Sequence, residues 1–187
     1  MKINTLVQSI SFILEQKNTA LDKLSILKLI FFADKYHMMK YARSITNDTY
    51  YAMQYGPVAS NVKNILDFDF IGDDEKVYIE KYLFKDGNNI NIREKFKNYN
   101  MLSETDKEAL EFAYENFGEY KTFDLVDITH KFYEWKRFEN SLKNGLTREK
   151  ILEEDFFTLT DFKNNPYKNI PTELVELSKE FYFGKVV

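Results

Sequence analysis

The chain has 187 residues, a formal net charge of −4 and no cysteine. This length predicts a single domain with a sizeable hydrophobic core. Without cysteine the chain has no disulfide cross-link, no thiolate metal site and no cysteine nucleophile. The 17 Phe, 13 Tyr and one Trp exclude a disordered chain, because disordered chains are poor in aromatic residues.

Charge and hydropathy limit the classes of partner. Residues 1–66 carry a net charge of +4 and residues 67–187 a net charge of −8, and an acidic chain argues against a nucleic acid partner. The longest apolar run is Leu29–Ala33, far below the roughly 20 residues that span a bilayer. We therefore expect a cytoplasmic protein with no membrane partner.

The first part of the chain predicts two helices of different kinds. Apolar residues recur at helical spacing between Ile3 and Leu14, which predicts an amphipathic helix. The next helix is predicted over about Ala20–Tyr41. From Leu24 to Phe32 it is apolar nearly all round, which is typical of a central, buried helix. The rest of the chain is expected to pack around it.

The middle of the chain predicts short strands. Ser44–Ile45 and Tyr50–Gln54 are predicted to pair as a hairpin, because turn-forming residues separate them. Pro57 is predicted to be the first residue of the following helix. A small β insertion is predicted over about residues 76–93, where residues such as Val77 favour a strand.

The remaining sequence predicts a return to helix. Ser103–Asp106 has the pattern of a capping box, which predicts a helix start. A second helix is predicted from about Thr122, and shorter helices near Arg148–Glu154 and Pro171–Phe183. The predicted fold class is mainly α (α+β), a single helical domain around a buried central helix with a small β-hairpin or sheet element.

Few residues are suited to catalysis. His37 shares a helix face with Asp34, and His130 shares another with Glu134. If those helices met, the four side chains could bind zinc or a similar metal, so a metal-dependent hydrolase is one alternative. No phosphate-binding loop or nucleophile-elbow motif is present. We therefore expect no catalytic residue, no metal and no cofactor.

A DNA-binding regulator is a second alternative. The predicted helices over about 103–116 and 122–133 are joined by a short turn that contains glycine, as in a helix-turn-helix. Asp124 and Asp127 lie at the end of the second helix that would face phosphates. Their charge argues against this reading.

The segment from Leu24 to Leu66 carries a family pattern. It reads LSILKLIFFADKYHMMKYARSITNDTYYAMQYGPVASNVKNIL. Together with a later block from Leu102 to Trp135, it resembles the SocA-like antitoxin family, whose Panacea domain was formerly a domain of unknown function. The resemblance covers about residues 5–140. The residues that match the family pattern are Asp34, His37, Arg43, Asp48, Gly56, Pro57, His130 and Trp135.

The resemblance implies a function as well as a fold. It implies the antitoxin of a bacterial or prophage type II toxin–antitoxin system, which neutralises its cognate toxin by direct protein–protein binding. Toxic small alarmone synthetases are among the toxins that the family neutralises. A protease adaptor, which delivers a toxin to an ATP-dependent protease, is the alternative. Residues 1–140 are predicted to form the Panacea-like domain, and residues 141–187 a C-terminal helical extension packed on the same domain.

The matching residues are expected to shape the shared scaffold, with Arg43 and Asp48 as an ion pair across the turn. Where the family often has glycine, this chain has Ala42 and Asn47. Asparagine tolerates the left-handed conformation better than most residues, so the turn at Asn47 is expected to persist.

A tyrosine-rich run supplies the candidate partner contacts. These residues are Tyr50, Tyr51, Met53 and Tyr55. Tyrosine combines a large apolar area with a polar tip, which makes it a frequent interface anchor. The alternative is that these rings pack the hairpin onto the central helix.

Overall fold

The computed structural model describes residues 3–69 and 72–184. The helices in chain order are α1 (Ile3–Lys17), α2 (Lys23–Tyr41), α3 (Ser60–Asp67), α4 (Asp73–Tyr82), α5 (Glu104–Phe117), α6 (Thr122–Thr129), α7 (Tyr133–Lys136), α8 (Glu139–Lys143) and α9 (Thr172–Tyr182). The strands are β1 (Leu21–Asp22), β2 (Tyr50–Met53), β3 (Gly56–Ala59), β4 (Leu83–Asp86), β5 (Asn89–Ile92) and β6 (Arg148–Lys150). Two short 3-10 helices span Glu153–Phe157 and Pro166–Asn169. The predicted class, mainly α with a small β element, is confirmed.

Helix α2 is the centre of the fold. Every residue from Ser25 to Met39 is buried, and α5, α9 and β3 pack around the helix. Its N-cap is Asp22, whose carboxylate accepts a hydrogen bond from the Ser25 N–H at 3.0 Å, so the predicted start at Ala20 is slightly early. Besides Ser25, four of its buried side chains are polar or charged and therefore need buried partners. These are Lys28, Asp34, Lys35 and His37.

Two three-stranded antiparallel sheets flank the helices, with strand orders β1-β5-β4 and β3-β2-β6. The predicted hairpin partner Ser44–Ile45 is wrong, because β2 pairs instead with β3 across a two-residue turn. Pro57 is wrong as a helix start, since it lies in β3 opposite Ala52. Proline is tolerated there because β3 is an edge strand. Helix α3 begins at Ser60.

Two predicted elements differ in type. Val77, predicted in a strand, lies in α4, where Asp73, Asp74 and Glu75 in the first turn favour the helix N-terminus. The predicted hairpin is confirmed only from β4 onward. The predicted helix near Arg148–Glu154 is replaced by β6 and a 3-10 helix. In β6 the backbone pairs with β2, a contact that no local pattern specifies.

Residues 141–184 contribute to the same core as the rest of the chain. Tyr167 is fully buried, and its hydroxyl donates to the carbonyl of Phe32 at 2.7 Å. Its ring packs against those of Phe112, Phe117 and Phe132. This segment combines the end of α8, one strand, two 3-10 helices and α9, so it is less helical than predicted. Within the described residues, no helix has the length and hydropathy needed to cross a membrane.

Candidate functional site

A mostly apolar groove lies beside the β2–β3 turn and has a volume of about 820 Å³. We call it the Trp135 groove. Tyr55 and Leu146 on its lining are 50% and 52% exposed. An apolar concave surface of this size with a few polar groups is typical of a binding site. Its main lining residues are Met53, Tyr55, His130, Trp135, Leu142 and Leu146.

The inner wall of the groove is an aromatic stack. The rings of His130 and Trp135 are parallel within 12°, with centroids 3.6 Å apart. The Trp135 indole N–H donates to the carbonyl of Met53 at 2.7 Å, which fixes the ring against the hairpin. Burial, together with the charge of Lys28, lowers the pKa of His130. The buried Nε2 atom of His130 has no hydrogen-bond partner among the described residues.

Lys28 lies beneath the β2–β3 turn. Its side chain is fully buried, and its Nζ donates to the carbonyl of Pro57 at 2.9 Å. Burial lowers the pKa of Lys28 to about 7. A Cβ atom at Gly56 would clash with the Thr129 hydroxyl and lie 2.9 Å from the Lys28 Nζ. Gly56 also has a φ of +96°, so both space and backbone conformation require glycine at this turn.

Lys28→Met is expected to remove a pH dependence of stability. The folded protein releases the Lys28 proton near pH 7, whereas the unfolded chain holds it up to its ordinary pKa of 10.5. More protons are therefore bound in the unfolded state, and the Lys28 contribution to stability rises with pH in this window, by at most about 1.4 kcal/mol per pH unit. Urea unfolding at several pH values above 7 measures the slope.

The control for that experiment is Lys97→Met, which changes an exposed lysine. We expect the free energy of unfolding of the Lys97 variant to follow the wild-type pH curve. Parallel curves for wild type and Lys28→Met would contradict the lowered pKa of the buried Lys28 amine.

Asp34 organises the loop before β2. Its carboxylate accepts hydrogen bonds from the backbone N–H groups of Ile45 (2.7 Å) and Thr46 (3.2 Å). It also accepts from the hydroxyls of Thr46 and Tyr50, the latter at 2.7 Å. Burial raises the pKa of Asp34 to about 6, and the four donors oppose this shift. A cleft of about 520 Å³ with mixed polar and apolar lining, including Asp48, lies over this loop.

His37 and Arg43 connect the same loop to α5. His37 Nδ1 donates to the carbonyl of Arg43 at 2.8 Å, and Nε2 accepts from the Thr105 hydroxyl at 3.0 Å. Arg43 pairs with Asp106 at 2.8 Å. The predicted ion pair between Arg43 and Asp48 is therefore wrong. Asp48 instead accepts backbone N–H groups at the start of α3, as shown by its contacts to Asn61 and Val62.

Comparison with protein families decides the relationship. The family model described as "Antitoxin SocA-like, Panacea domain" matches residues 26–136. The chain belongs to this family. No curated protein and no solved structure gives a significant match. The Panacea match covers the hairpin and the His130–Trp135 stack, but it ends before Leu142 and Leu146. One wall of the Trp135 groove thus comes from the Panacea domain and the other from the sequence that follows it.

The structure separates the tyrosine-rich run into three environments. Tyr50 is 4% exposed and bonded to Asp34, so its side chain is not at the surface. Tyr51 is half-buried, and the guanidinium of Arg148 lies 4.9 Å from its ring centroid. Met53 and Tyr55 line the Trp135 groove. Met53 and Tyr55 thus line the same groove as His130 and Trp135, which match the family pattern.

The four residues of the metal alternative have separate partners. Asp34 holds the loop before β2, and His37 bonds to Arg43 and Thr105. His130 stacks on Trp135, while Glu134 pairs with Lys35 at 2.6 Å. Over residues 3–69 and 72–184, no group of three or more His, Asp or Glu side chains is placed to hold a metal ion.

Sequence reasoning missed several residues of the site. Lys28 and Lys35 lie seven residues apart and interrupt the apolar pattern of α2. This spacing is the sequence signal that could have identified them. Phe123, the second residue of α6, is 68% exposed, and its ring lies 6.4 Å from that of Tyr55. Leu142 and Leu146 carried no recognisable pattern.

Proposed function

We propose that this protein is the antitoxin of a type II toxin–antitoxin system of a bacterium or prophage, acting in the cytoplasm. In this proposal it neutralises its cognate toxin by direct binding, with the Trp135 groove as the contact surface. The observation that carries the proposal is the Panacea family match over residues 26–136, which includes the hairpin and the aromatic wall of the groove.

The chemistry of the groove supports a binding role. Direct neutralisation requires a surface that buries apolar area, and aromatic side chains dominate such surfaces. Tyr55 and Phe123 present exposed rings beside the groove, and Met53 lines it. Methionine adapts to irregular partner surfaces. Met53 and Tyr55 are therefore the proposed partner contacts within the groove, and Tyr51, which does not line the groove, is a proposed contact from the same strand as Met53.

The toxin in this proposal is an enzyme such as a toxic small alarmone synthetase, one of the toxin classes that the family resemblance implies. The protease adaptor is the alternative mode of neutralisation. The two modes differ in one measurable respect, because an adaptor shortens the lifetime of the toxin and a direct inhibitor does not.

Leu146→Asp is expected to abolish neutralisation, because it places a charge on the apolar wall of the groove. The experiment co-expresses the protein with the product of the adjacent gene and scores growth and co-purification. Leu177→Asp is the matched control, since Leu146 and Leu177 are 52% and 53% exposed and Leu177 does not line the groove. The control variant is expected to neutralise like wild type.

The outcomes separate the hypotheses. If the wild-type protein does not restore growth, or if the adjacent product is harmless, the antitoxin proposal fails. If the toxin lifetime falls only in cells with an intact ATP-dependent protease, the adaptor mode replaces direct inhibition. Equal neutralisation by both leucine variants would retain the antitoxin and remove the groove as its contact surface.

A further inference from the structure

The charges on the rim of the Trp135 groove are unevenly balanced. Three lysines and one glutamate line it: Lys23, Lys63, Lys143 and Glu139. At one end Asp67 pairs with both Lys23 and Lys63, the latter at 2.8 Å. One carboxylate thus serves two ammonium groups, which leaves a positive charge in surplus at this end.

The other end of the groove also carries a lysine held by a carboxylate. Glu139 pairs with Lys143 at 3.0 Å, so the two charges that line this end balance each other; Lys136, which also pairs with Glu139 at 2.7 Å, does not line the groove. Asp127, another acid whose charge reaches His130, is exposed and does not line the groove. The groove therefore has an apolar centre and a net positive rim, and the surplus positive charge lies at the end that carries Lys23 and Lys63.

This local sign is opposite to that of the chain. The protein has a net charge of −4, and residues 67–187 carry −8. A positive rim on an acidic protein attracts an acidic partner to one place and repels it elsewhere, which favours correctly oriented encounters. The ion pairs also hold the lysine side chains in position before a partner arrives.

We propose that the Trp135 groove binds an apolar segment of the toxin that is flanked by acidic side chains. The apolar side chains of the segment pack against Met53, Trp135 and Leu146, and its carboxylates pair with Lys63 and Lys143. This inference rests on the proposed function, because it names the chemistry of the toxin segment that the antitoxin recognises.

The chain contains its own reporter for this test. Trp135 is the one tryptophan in the sequence and lies on the inner wall of the groove, where it is 5% exposed. Its emission depends on the solvation of the indole ring and on its stacking with His130. A ligand without tryptophan that fills the groove therefore changes the emission, whereas a ligand bound elsewhere leaves it unchanged.

The probes are two synthetic peptides with the same central run of leucine and phenylalanine and no tryptophan. One is flanked by glutamates at both ends and the other by lysines. Titrated into the full-length protein at low ionic strength, the glutamate-flanked peptide is expected to bind at least about tenfold more tightly. The difference should shrink as salt is added, because salt screens exposed charges.

Charge reversal at the rim supplies the matched variants. Lys63→Glu combined with Lys143→Glu is expected to invert the order of the two peptides. Lys97→Glu combined with Lys179→Glu makes the same charge change at exposed lysines that do not line the groove and is expected to keep the wild-type order. Equal binding of both peptides, or no emission change with either, overturns the proposal.

The same rim variant separates this inference from the proposed function. If the wild-type protein neutralises its toxin and Lys63→Glu/Lys143→Glu does so equally well, the antitoxin function is retained and the groove chemistry is rejected. If the wild-type protein fails to neutralise any toxin, the antitoxin function is rejected. The peptide titration then still decides whether the groove selects acidic, apolar segments.

Discussion

Deleting residues 141–187 is expected to abolish cooperative folding of the rest of the chain. The segment lies outside the Panacea match, yet several of its apolar side chains are buried in the common core. They are Ile151, Phe156, Phe157, Tyr167, Ile170 and Val175. Each such side chain contributes about 1.5–3 kcal/mol when fully buried, against a total stability of only about 5–15 kcal/mol for a domain.

The deletion removes buried contacts of the central helix α2. It exposes Phe32 and Phe132, which Tyr167 covers. It also removes the carbonyls of Phe156 and Thr158, which accept from the Lys35 ammonium at 3.0 Å each. The shorter chain avoids the entropy cost of ordering the deleted segment. The apolar surface of α2 that this segment covered is then exposed to water, however. We expect residues 1–140 to aggregate or to lack a sharp unfolding transition.

Circular dichroism during urea unfolding tests this prediction. A chain that ends at Gly184 is the control, because it keeps every residue that the structure describes. Tyr167→Ala gives a graded version of the same test, with an expected cost of about 3–5 kcal/mol for removing a buried aromatic side chain. A soluble 1–140 fragment that unfolds cooperatively would contradict the prediction and make the Panacea region an autonomous domain.

The parts of the fold that the sequence predicted well depend on local patterns. The amphipathic α1 and the central position of α2 follow from the spacing of apolar residues. The capping box at Ser103–Asp106 is confirmed in both of its hydrogen bonds. Such features are decided within a few residues, so one sequence is enough to find them.

The errors arise where a distant contact or the surroundings of a residue outweigh its own structural preference. The β6 strand forms because it pairs with β2, about a hundred residues earlier in the chain. In α4, three acidic residues in the first turn and only one buried position, Ile79, outweigh the strand preference of Val77. Intrinsic strand preference is weak compared with such context.

The candidate site was also predictable only in part, where a local pattern or family motif identified its residues. The family pattern in the sequence identified His130 and Trp135, and the tyrosine-rich run identified Met53 and Tyr55. Their convergence in one groove depends on the packing of α7 against the hairpin, which neither motif specifies alone. The opposite wall, near Leu146, comes from sequence that follows the family match, so no resemblance could have indicated it.

Lys35→Met is expected to destabilise the protein by about 3–5 kcal/mol, because it leaves a buried charge without its partner. Lys35 and Glu134 are both fully buried, with Nζ and Oε1 2.6 Å apart. All three donors of the Lys35 ammonium are used, by Glu134 and by the carbonyls of Phe156 and Thr158. This geometry fits a protonated lysine.

A double-mutant cycle isolates the pair from its surroundings. Replacing both residues, as Lys35→Met/Glu134→Leu, is expected to cost less than the sum of the two single substitutions, because neither charge is left unpaired. Lys107→Met is the surface control. It breaks the ion pair with Glu104, which is 90% exposed, and is expected to cost less than about 1 kcal/mol. Additive single effects would show that the buried pair has no net coupling.

The pH dependence of the single variant identifies which charge is left behind. Burial raises the pKa of Glu134 above its ordinary value of 4.5, and Lys35 opposes this shift. In Lys35→Met the opposition is lost, so the folded variant keeps a proton that the unfolded chain releases. Its stability should therefore fall more steeply than that of wild type as the pH rises above the ordinary glutamate pKa of 4.5. Lys35→Met/Glu134→Leu should lack this fall, because it has no carboxyl at position 134. If the single and double variants show the same slope in urea unfolding, the unpaired group is not Glu134, and the cost of Lys35→Met must come from the two carbonyls of the C-terminal segment.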